Sequence, residues 1–328
     1  MSEGGGRTAL DAARRGVLGW WQGLTPASGS AVMATGIVSV GLHLAGHETL
    51  SRMALALAVL AWAALAALFA RRLLRDRSRW ARDADTPAAL TAVAATTVIG
   101  TRLSLLGPQP VAVVLLVLAV VLWPALMVSV VRHWGRHMPG AVFLSCVATQ
   151  GIAVLAATLA PALPAAWLAY AALVFFCLGL VLYAACLPHF DLGHVRAGAG
   201  DQWVAGGALA ISALAGAKLV AAPQWHGGPH QVLRIATLVL LALVALWYAV
   251  LLVSEVRHPR PRYDVRRWAT VFPMGMTAVA TLTTSTAAQL SWLRGPGQVL
   301  LWVAVAAWLL TCAGLLGSVR GRGTAPGV

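Results

Sequence analysis

Hydrophobic residues fall into ten long runs along the chain, separated by shorter polar or basic segments. A helix of about 20 apolar residues spans the ~30 Å hydrocarbon layer of a bilayer. Backbone within that layer must satisfy its own hydrogen bonds, which a helix does. The pattern therefore predicts an all-α integral membrane protein with ten transmembrane helices. We predict these helices at 26–45, 51–70, 86–105, 110–131, 141–160, 166–187, 201–220, 232–253, 268–290 and 299–318.

Composition and the chain ends agree with this prediction. The sequence is 59% hydrophobic and only 10% charged, whereas a soluble domain carries about 25% charged residues. The first residues, MSEGGGRTALDAARRG, are polar and lack the apolar core of a signal peptide. We predict a cytoplasmic N-terminal tail at 1–24, a transmembrane transport domain at 25–318 and a cytoplasmic C-terminal tail at 319–328.

Polar residues divide the predicted helices into two kinds. The odd-numbered helices hold 24 Ser, Thr, Asn and Gln residues, and the even-numbered helices hold 5. Polar groups within a bilayer turn toward protein or water and away from lipid. We therefore expect five helical hairpins, in which the odd helices form an inner five-helix pore and the even helices form an outer shell.

The odd helices also share a short internal repeat. The segments VMATG, VAATT, VATQG, ALAIS and AVATL place one hydroxyl at a matching position near mid-membrane. These residues are Thr35, Thr96, Thr149, Ser212 and Thr281. The shared depth predicts a pore lined by hydroxyls. The alternative is that these residues mediate close helix packing, as small polar residues do in membrane bundles.

The charge distribution indicates orientation and the charge of the transported species. If the N-terminus is cytoplasmic, 19 of the 24 Lys and Arg residues lie in cytoplasmic segments, which predicts that both ends face the cytoplasm of a cell membrane. This asymmetry explains most of the net charge of +14 without a nucleic-acid partner.

None of the ten acidic residues is central in a span, which disfavours a cation pore and a buried carboxylate proton relay. Hydroxyl donors and helix N-termini favour anions.

Other candidate chemistry is sparse. The four cysteines fall inside predicted spans and are interpreted as small buried hydrophobes. A metal could bind at His133 and His137, or at His189, Asp191 and His194, but neither group completes a ligand set. We predict no metal, no cofactor and no enzymatic activity. Lys218, near the outer end of helix 7, either attracts anions to the pore mouth or extends its amine to the interface.

Five segments in order resemble the tellurite-resistance/dicarboxylate transporter family, which includes plant slow-type anion channels, fungal malate permeases and sulfite exporters. These segments are TPASGSAVMATGIVSVGL (25–42), VAATTVIGTRL (93–103), VATQGIAVLA (147–156), DQWVAGGALAISALAGAKL (201–219) and RYDVRRWATVFPMGMTAVAT (262–281). The resemblance implies ten helices in five hairpins, a homotrimer with one pore in each subunit, and a phenylalanine on helix 9 that plugs the pore.

That phenylalanine corresponds to Phe272, which precedes Pro273. The alternative is that Phe272 is a packed core residue. By helical phase Thr281 lies roughly opposite Phe272, so both can face the pore only if Pro273 bends the helix and shifts its phase.

The residues and the resemblance together favour a passive channel or uniporter for small inorganic or organic anions, gated by Phe272. Candidate anions are chloride, nitrate, malate, sulfite and tellurite. One alternative is a secondary transporter or exporter of C4-dicarboxylates, sulfite or tellurite. A further alternative is a metal-dependent membrane enzyme or sensor that uses the cytoplasmic histidines.

Overall fold

Ten long helices follow one another along the part of the chain that the structure describes. The computed structural model describes residues 24–163, 165–260 and 262–323, and these residues are largely helical. The long helices, numbered α1 to α10, are Gly29–Leu44, Glu48–Arg75, Thr91–Leu106, Gln109–Arg132, Leu144–Ala162, Ala166–Cys186, Trp203–Val220, Gly227–Arg257, Arg266–Ala287 and Arg294–Gly323. Two short helices, Arg77–Ala84 and Gly193–Ala197, lie in the connections that follow α2 and α6.

Glycine permits two of the tight turns between successive helices. Gly46 follows α1 with φ of 88°, and Gly107 follows α3 with φ of 121°. A side chain is strained at positive φ, so glycine is the residue that fits these turns. Both turns therefore let the chain reverse within a few residues.

Nine of the ten long helices in the described part of the chain are apolar enough to cross a membrane, judged by length and composition. The exception is α9, whose hydroxyl-rich sequence lowers its mean hydropathy. Three outer helices are at least eight residues longer than predicted, because α2 has 28 residues, α8 has 31 and α10 has 30. At 1.5 Å per residue they exceed the ~30 Å hydrocarbon layer.

The predicted tails are only partly covered by the structure. Helix α10 continues to Gly323, past the predicted end of the transport domain at 318. Residues 1–23 and 324–328 lie outside the described residues.

The odd-numbered helices form a closed ring. Helix α1 packs against α3, α3 against α5, α5 against α7, α7 against α9, and α9 packs back against α1. Each even-numbered helix packs against the inner helix that precedes it. It also packs against the inner helix that follows, and α10 closes this second series by packing against α1. Each outer helix therefore covers the seam between two inner helices.

Burial separates the same two sets. In the candidate spans α1, α3, α5 and α7, between 67% and 100% of the residues are buried, compared with 17–28% in α2, α4, α6, α8 and α10. The outer helices expose large apolar side chains such as Leu60, Val114, Val174 and Leu310. A surface of this kind fits the hydrocarbon of a bilayer.

Glycines allow close approach within the ring. A Cβ atom built on Gly207 of α7 would lie 2.8 Å from Cγ of Pro273 in α9, closer than real Cβ contacts. Equivalent glycines occur at three other inner contacts: Gly36 against Val98, Gly151 against Thr97 and Gly275 against Ile37. Small residues at membrane helix interfaces permit such backbone proximity.

Candidate functional site

A small cavity lies at the centre of the ring. Its volume is about 10 Å³, which is space for about one water molecule. Residues from all five inner helices line it: Ile37, Val40, Thr97, Val98, Thr101, Gly151, Val154, Ile211, Leu214 and Met276. The cavity therefore marks the ring axis, and the axis is constricted at this level.

The lining is apolar except on one helix. Thr97 and Thr101, both on α3, supply the two hydroxyls among these residues. Thr97 Oγ1 donates to the carbonyl of Ala94 at 2.9 Å, and Thr101 Oγ1 donates to the carbonyl of Thr97 at 2.8 Å. Their hydrogens are thus used within α3, and the other lining side chains are aliphatic, the thioether of Met276, or absent at Gly151. An ion at this level would meet a nearly apolar wall.

Phe272 lies on the cavity side of α9. Met276 lines the cavity, and residues four apart share a helix face. Phe272 therefore sits one turn nearer the start of α9, with 1% of its surface exposed. Thr283 lies on the same face beyond Met276, by the same helical spacing, and its Oγ1 is buried without a hydrogen-bond partner. One stripe of α9 thus carries Phe272, Met276 and Thr283.

Pro273 is accommodated within a helix that runs unbroken from Arg266 to Ala287. Thr277 Oγ1 donates to the carbonyl of Pro273 at 2.9 Å, and Thr281 Oγ1 donates to the carbonyl of Thr277 at 2.8 Å. With regular helical phase, Thr281 faces away from the Phe272 stripe. The phase shift that would bring Thr281 beside Phe272 stays a prediction.

Three of the five repeated hydroxyls bond to tryptophans of the outer helices. Thr35 accepts a hydrogen bond from Trp308 Nε1 of α10 at 3.0 Å. Thr96 accepts from Trp62 Nε1 of α2 at 2.9 Å. In each case the tryptophan belongs to the outer helix that covers the seam beside that inner helix.

Thr149 repeats the arrangement by accepting from Trp123 Nε1 of α4 at 2.8 Å, while Thr149 Oγ1 donates to the carbonyl of Ser145. The remaining two hydroxyls bond within their own helices. Ser212 donates to the carbonyl of Ala208 at 2.7 Å, and Thr281 bonds as described above.

All five hydroxyls lie outside the set of cavity-lining residues. This geometry favours packing, the alternative considered from the sequence, and a role for them in conduction stays a prediction.

The tryptophans were not singled out from the sequence. Trp62, Trp123 and Trp308 each occur in the middle of an outer helix that otherwise consists mainly of Leu, Val and Ala. An indole N–H requires an acceptor when it is surrounded by hydrocarbon. The recurrence of tryptophan in the even helices could therefore have predicted hydrogen-bond acceptors on the odd helices.

Lys218 lies on the same face of α7 as Ile211 and Leu214, toward the C-terminal end of the helix. The structure gives its amine no hydrogen bond or ion pair with any described residue. Lys218 is therefore a cationic side chain on the cavity-facing side of α7, between the cavity and the C-terminal end of the helix.

Arg102 is fully buried on α3, next to Thr101, but its charge is used between helices. Its Nε donates to Ser51 Oγ at 2.8 Å and its Nη2 to Glu48 Oε1 at 2.8 Å. Because Ser51 and Glu48 belong to α2, Arg102 ties α3 to α2.

A second polar network lies at the start of α9. Arg260 Nη2 donates to both carboxylate oxygens of Glu255, at 3.0 and 2.8 Å, and to Thr270 Oγ1 at 2.9 Å. Thr270 is two residues before Phe272. The connection after α8 is thus held against the segment that carries the predicted gate.

The histidines considered as metal ligands lie in or beside the connecting segments. His189 Nδ1 hydrogen-bonds to the carbonyl oxygen of Gly135 at 2.8 Å, and its ring lies 5.2 Å from that of Trp134. Within the ranges that the structure covers, no group of three or more His, Cys, Asp or Glu side chains is arranged to hold a metal.

Comparison with known proteins identifies a matching protein family. A family model described as voltage-dependent anion channel matches residues 23–316. Two uncharacterized membrane proteins from two strains of Mycobacterium tuberculosis are each 34% identical to the chain over 125 residues, covering 35% of this chain and 61% of their own length. The chain thus spans 61% of the length of these curated relatives.

Proposed function

The chain belongs to the voltage-dependent anion channel family, as the sequence resemblance predicted, and we propose from this premise that it passes small anions along the axis of its five inner helices. The observation that carries the proposal is the central cavity, because all five helices of a closed ring contribute to its wall. The constriction there corresponds to a closed state, and each subunit of a homotrimer would contain its own path.

Charge favours anions over cations along this path. The inner helices, running in the same direction, direct their N-termini, with partial positive charge, toward the cytoplasm. Lys218 follows the cavity wall near the other end. The cavity lining itself contains neither Asp nor Glu among its residues, whereas cation channels commonly use acidic rings or carbonyl cages.

Two layers close the path in this proposal. Phe272 is the gate on the cytoplasmic side, and the ring of apolar side chains that includes Ile211, Leu214 and Met276 forms a second constriction one turn further along. Hydrophobic constrictions gate channels by excluding water. Pro273, seated against Gly207, would let the start of α9 move and carry Phe272 out of the path.

Replacing the gate residue tests the proposal. Purified Phe272→Ala in planar bilayers should carry more anion current than the wild type, because the larger side chain no longer fills the axis. Phe176→Ala is the matched control, since Phe176 is a buried aromatic residue of the outer helix α6. Negligible current from folded Phe272→Ala would remove the gate assignment, and equal currents from both variants would point to general loosening.

The closed axis also supports a second candidate, a secondary transporter of C4-dicarboxylates, sulfite or tellurite. A constriction of about one water volume separates the two ends of the path, as an occluded transporter state would. Uptake into liposomes with and without a proton gradient distinguishes the candidates. Accumulation above the electrochemical equilibrium of the anion would favour the coupled transporter.

A further inference from the structure

A groove lies outside the ring, between the short helix Gly193–Ala197 and the last turns of α8. Its volume is about 460 Å³, many times that of the central cavity. Because α8 is an outer helix, the groove opens on the surface that faces lipid in the proposed arrangement. It is therefore separate from the anion path.

The groove has an apolar wall and a basic end. Val250 and Val253 form the wall together with Ala249, and the two valines are 43% and 49% exposed. Arg196, Arg257 and His258 stand at the end of the groove and are exposed. The two arginines make no ion pair with any described residue.

The neighbouring carboxylates are occupied elsewhere. Asp191 Oδ1 accepts a hydrogen bond from the backbone N–H of Gly193 at 2.8 Å. Glu255 pairs with Arg260 at 2.8 Å. Neither carboxylate therefore forms an ion pair with Arg196 or Arg257.

Two features fix the position of the short helix beside α8. Ser254 Oγ of α8 donates to the carbonyl of Val195 at 2.5 Å, which fixes the short helix against α8. Gly198 follows that helix with φ of 64°, so the chain turns closely past His258. The arginine of the short helix and the arginine of α8 are thereby brought to one end of one groove.

We propose that this groove binds one anionic phospholipid. The phosphate lies between Arg196 and Arg257 with His258 at the rim, and an acyl chain lies along Val250 and Val253. Basic pockets at the membrane boundary bind acidic headgroups, and a helix end that carries both arginine and valine offers the two surfaces that such a lipid requires. In the proposed orientation the lipid belongs to the cytoplasmic leaflet.

Binding of phosphatidylglycerol to the full-length protein, measured by native mass spectrometry, tests this assignment against phosphatidylcholine of the same chain length. One phosphatidylglycerol should bind per chain in preference to phosphatidylcholine. Arg196→Gln/Arg257→Gln should weaken that binding roughly 30-fold, at about 1 kcal/mol for each arginine near anionic lipid. Val253→Trp, which fills the wall and keeps both arginines, should weaken it as well.

The matched control is Arg71→Gln/Arg75→Gln, which removes two exposed arginines from another basic segment and should leave binding unchanged. Thermal unfolding in phosphatidylcholine confirms that each variant is folded. Equal binding of the two lipids, equal weakening by the control pair, or displacement of the lipid by glycerol phosphate would overturn the proposal. Cross-linking of Val253→Cys to a second copy would assign the groove to a subunit interface instead.

Discussion

Thr96 and Thr97 are neighbours in sequence, yet they lie on opposite sides of the inner ring wall. Thr96 faces the outer layer and accepts a hydrogen bond from Trp62. Thr97 lines the central cavity. About 100° of helical rotation separates them, and that rotation decides whether a hydroxyl bonds to the outer layer or faces the central cavity.

The comparison extends to three of the inner helices. Thr35, Thr96 and Thr149 face the outer layer, while the residues that line the central cavity are mostly aliphatic. Polar residues in membrane helices therefore need not mark the pore. In this protein, three of them bond to indoles that would otherwise lack an acceptor in hydrocarbon.

The largest expected effect comes from removing two inward-facing side chains of α9. Phe272→Ala/Met276→Ala should raise anion conductance in planar bilayers roughly a hundredfold, because removing both side chains widens the constriction. A hundredfold increase corresponds to a permeation barrier lower by about 2.7 kcal/mol. Thr277→Val/Thr281→Val changes two outward-facing positions of the same helix and should leave conductance near the wild-type level. A larger current from the outward-facing pair would reverse the proposed assignment of the two faces.

A smaller but global effect is expected at the closest contact between α7 and α9. Gly207→Ala places a methyl group 2.8 Å from Cγ of Pro273, and overpacking of this kind costs about 1–3 kcal/mol of stability. Thermal unfolding in detergent measures the change. Gly295→Ala, where nothing lies within 4 Å of the new Cβ, is the control and should unfold like the wild type.

Lys218→Met should reduce anion conductance by about two- to fivefold at low ionic strength, because a positive charge near the end of the path attracts anions most when screening is weak. The reduction should disappear near 1 M salt. Arg294→Gln, an exposed arginine near the start of α10, serves as the comparison. A loss that persists at high salt would show that Lys218 acts by packing and not by attraction.

The smallest expected effect concerns the contact between the two layers. Trp123→Phe and Thr149→Val each remove one partner of the same hydrogen bond. A double-mutant cycle on unfolding should give a coupling energy of about 0.6 kcal/mol, typical of hydrogen bonds between membrane helices. Strictly additive effects would indicate that the bond contributes nothing to joining the layers.

Much of the architecture could be predicted from where polar residues are concentrated. The excess of hydroxyls in the odd helices predicted which helices are buried, and burial follows that division. The depth of Thr35, Thr96 and Thr149 was also informative, since their partners recur in the outer layer.

The rotation of each inner helix could not be predicted in the same way. Lipid and protein interior are both apolar, so an apolar stripe on a membrane helix does not show which side faces inward. Thr97 and Thr101 are distinguished from Thr96 only by helical phase, and the sequence lacks a reference direction for that phase. The path of α9 through Pro273 likewise depends on the fit against Gly207, which is a tertiary contact.

The hydrogen bond between Trp308 and Thr35 joins residues that are 273 positions apart. The ribosome synthesises the first helices long before the last. Thr35 therefore enters the membrane before Trp308, its hydrogen-bond donor, has been made. Closure between α9 and α1 must then be a late event in biosynthesis, since non-local contacts form only after the intervening chain is in place. Until α9 inserts, the nascent protein is an open arc, and premature termination before α10 would leave the seam between α9 and α1 exposed to lipid.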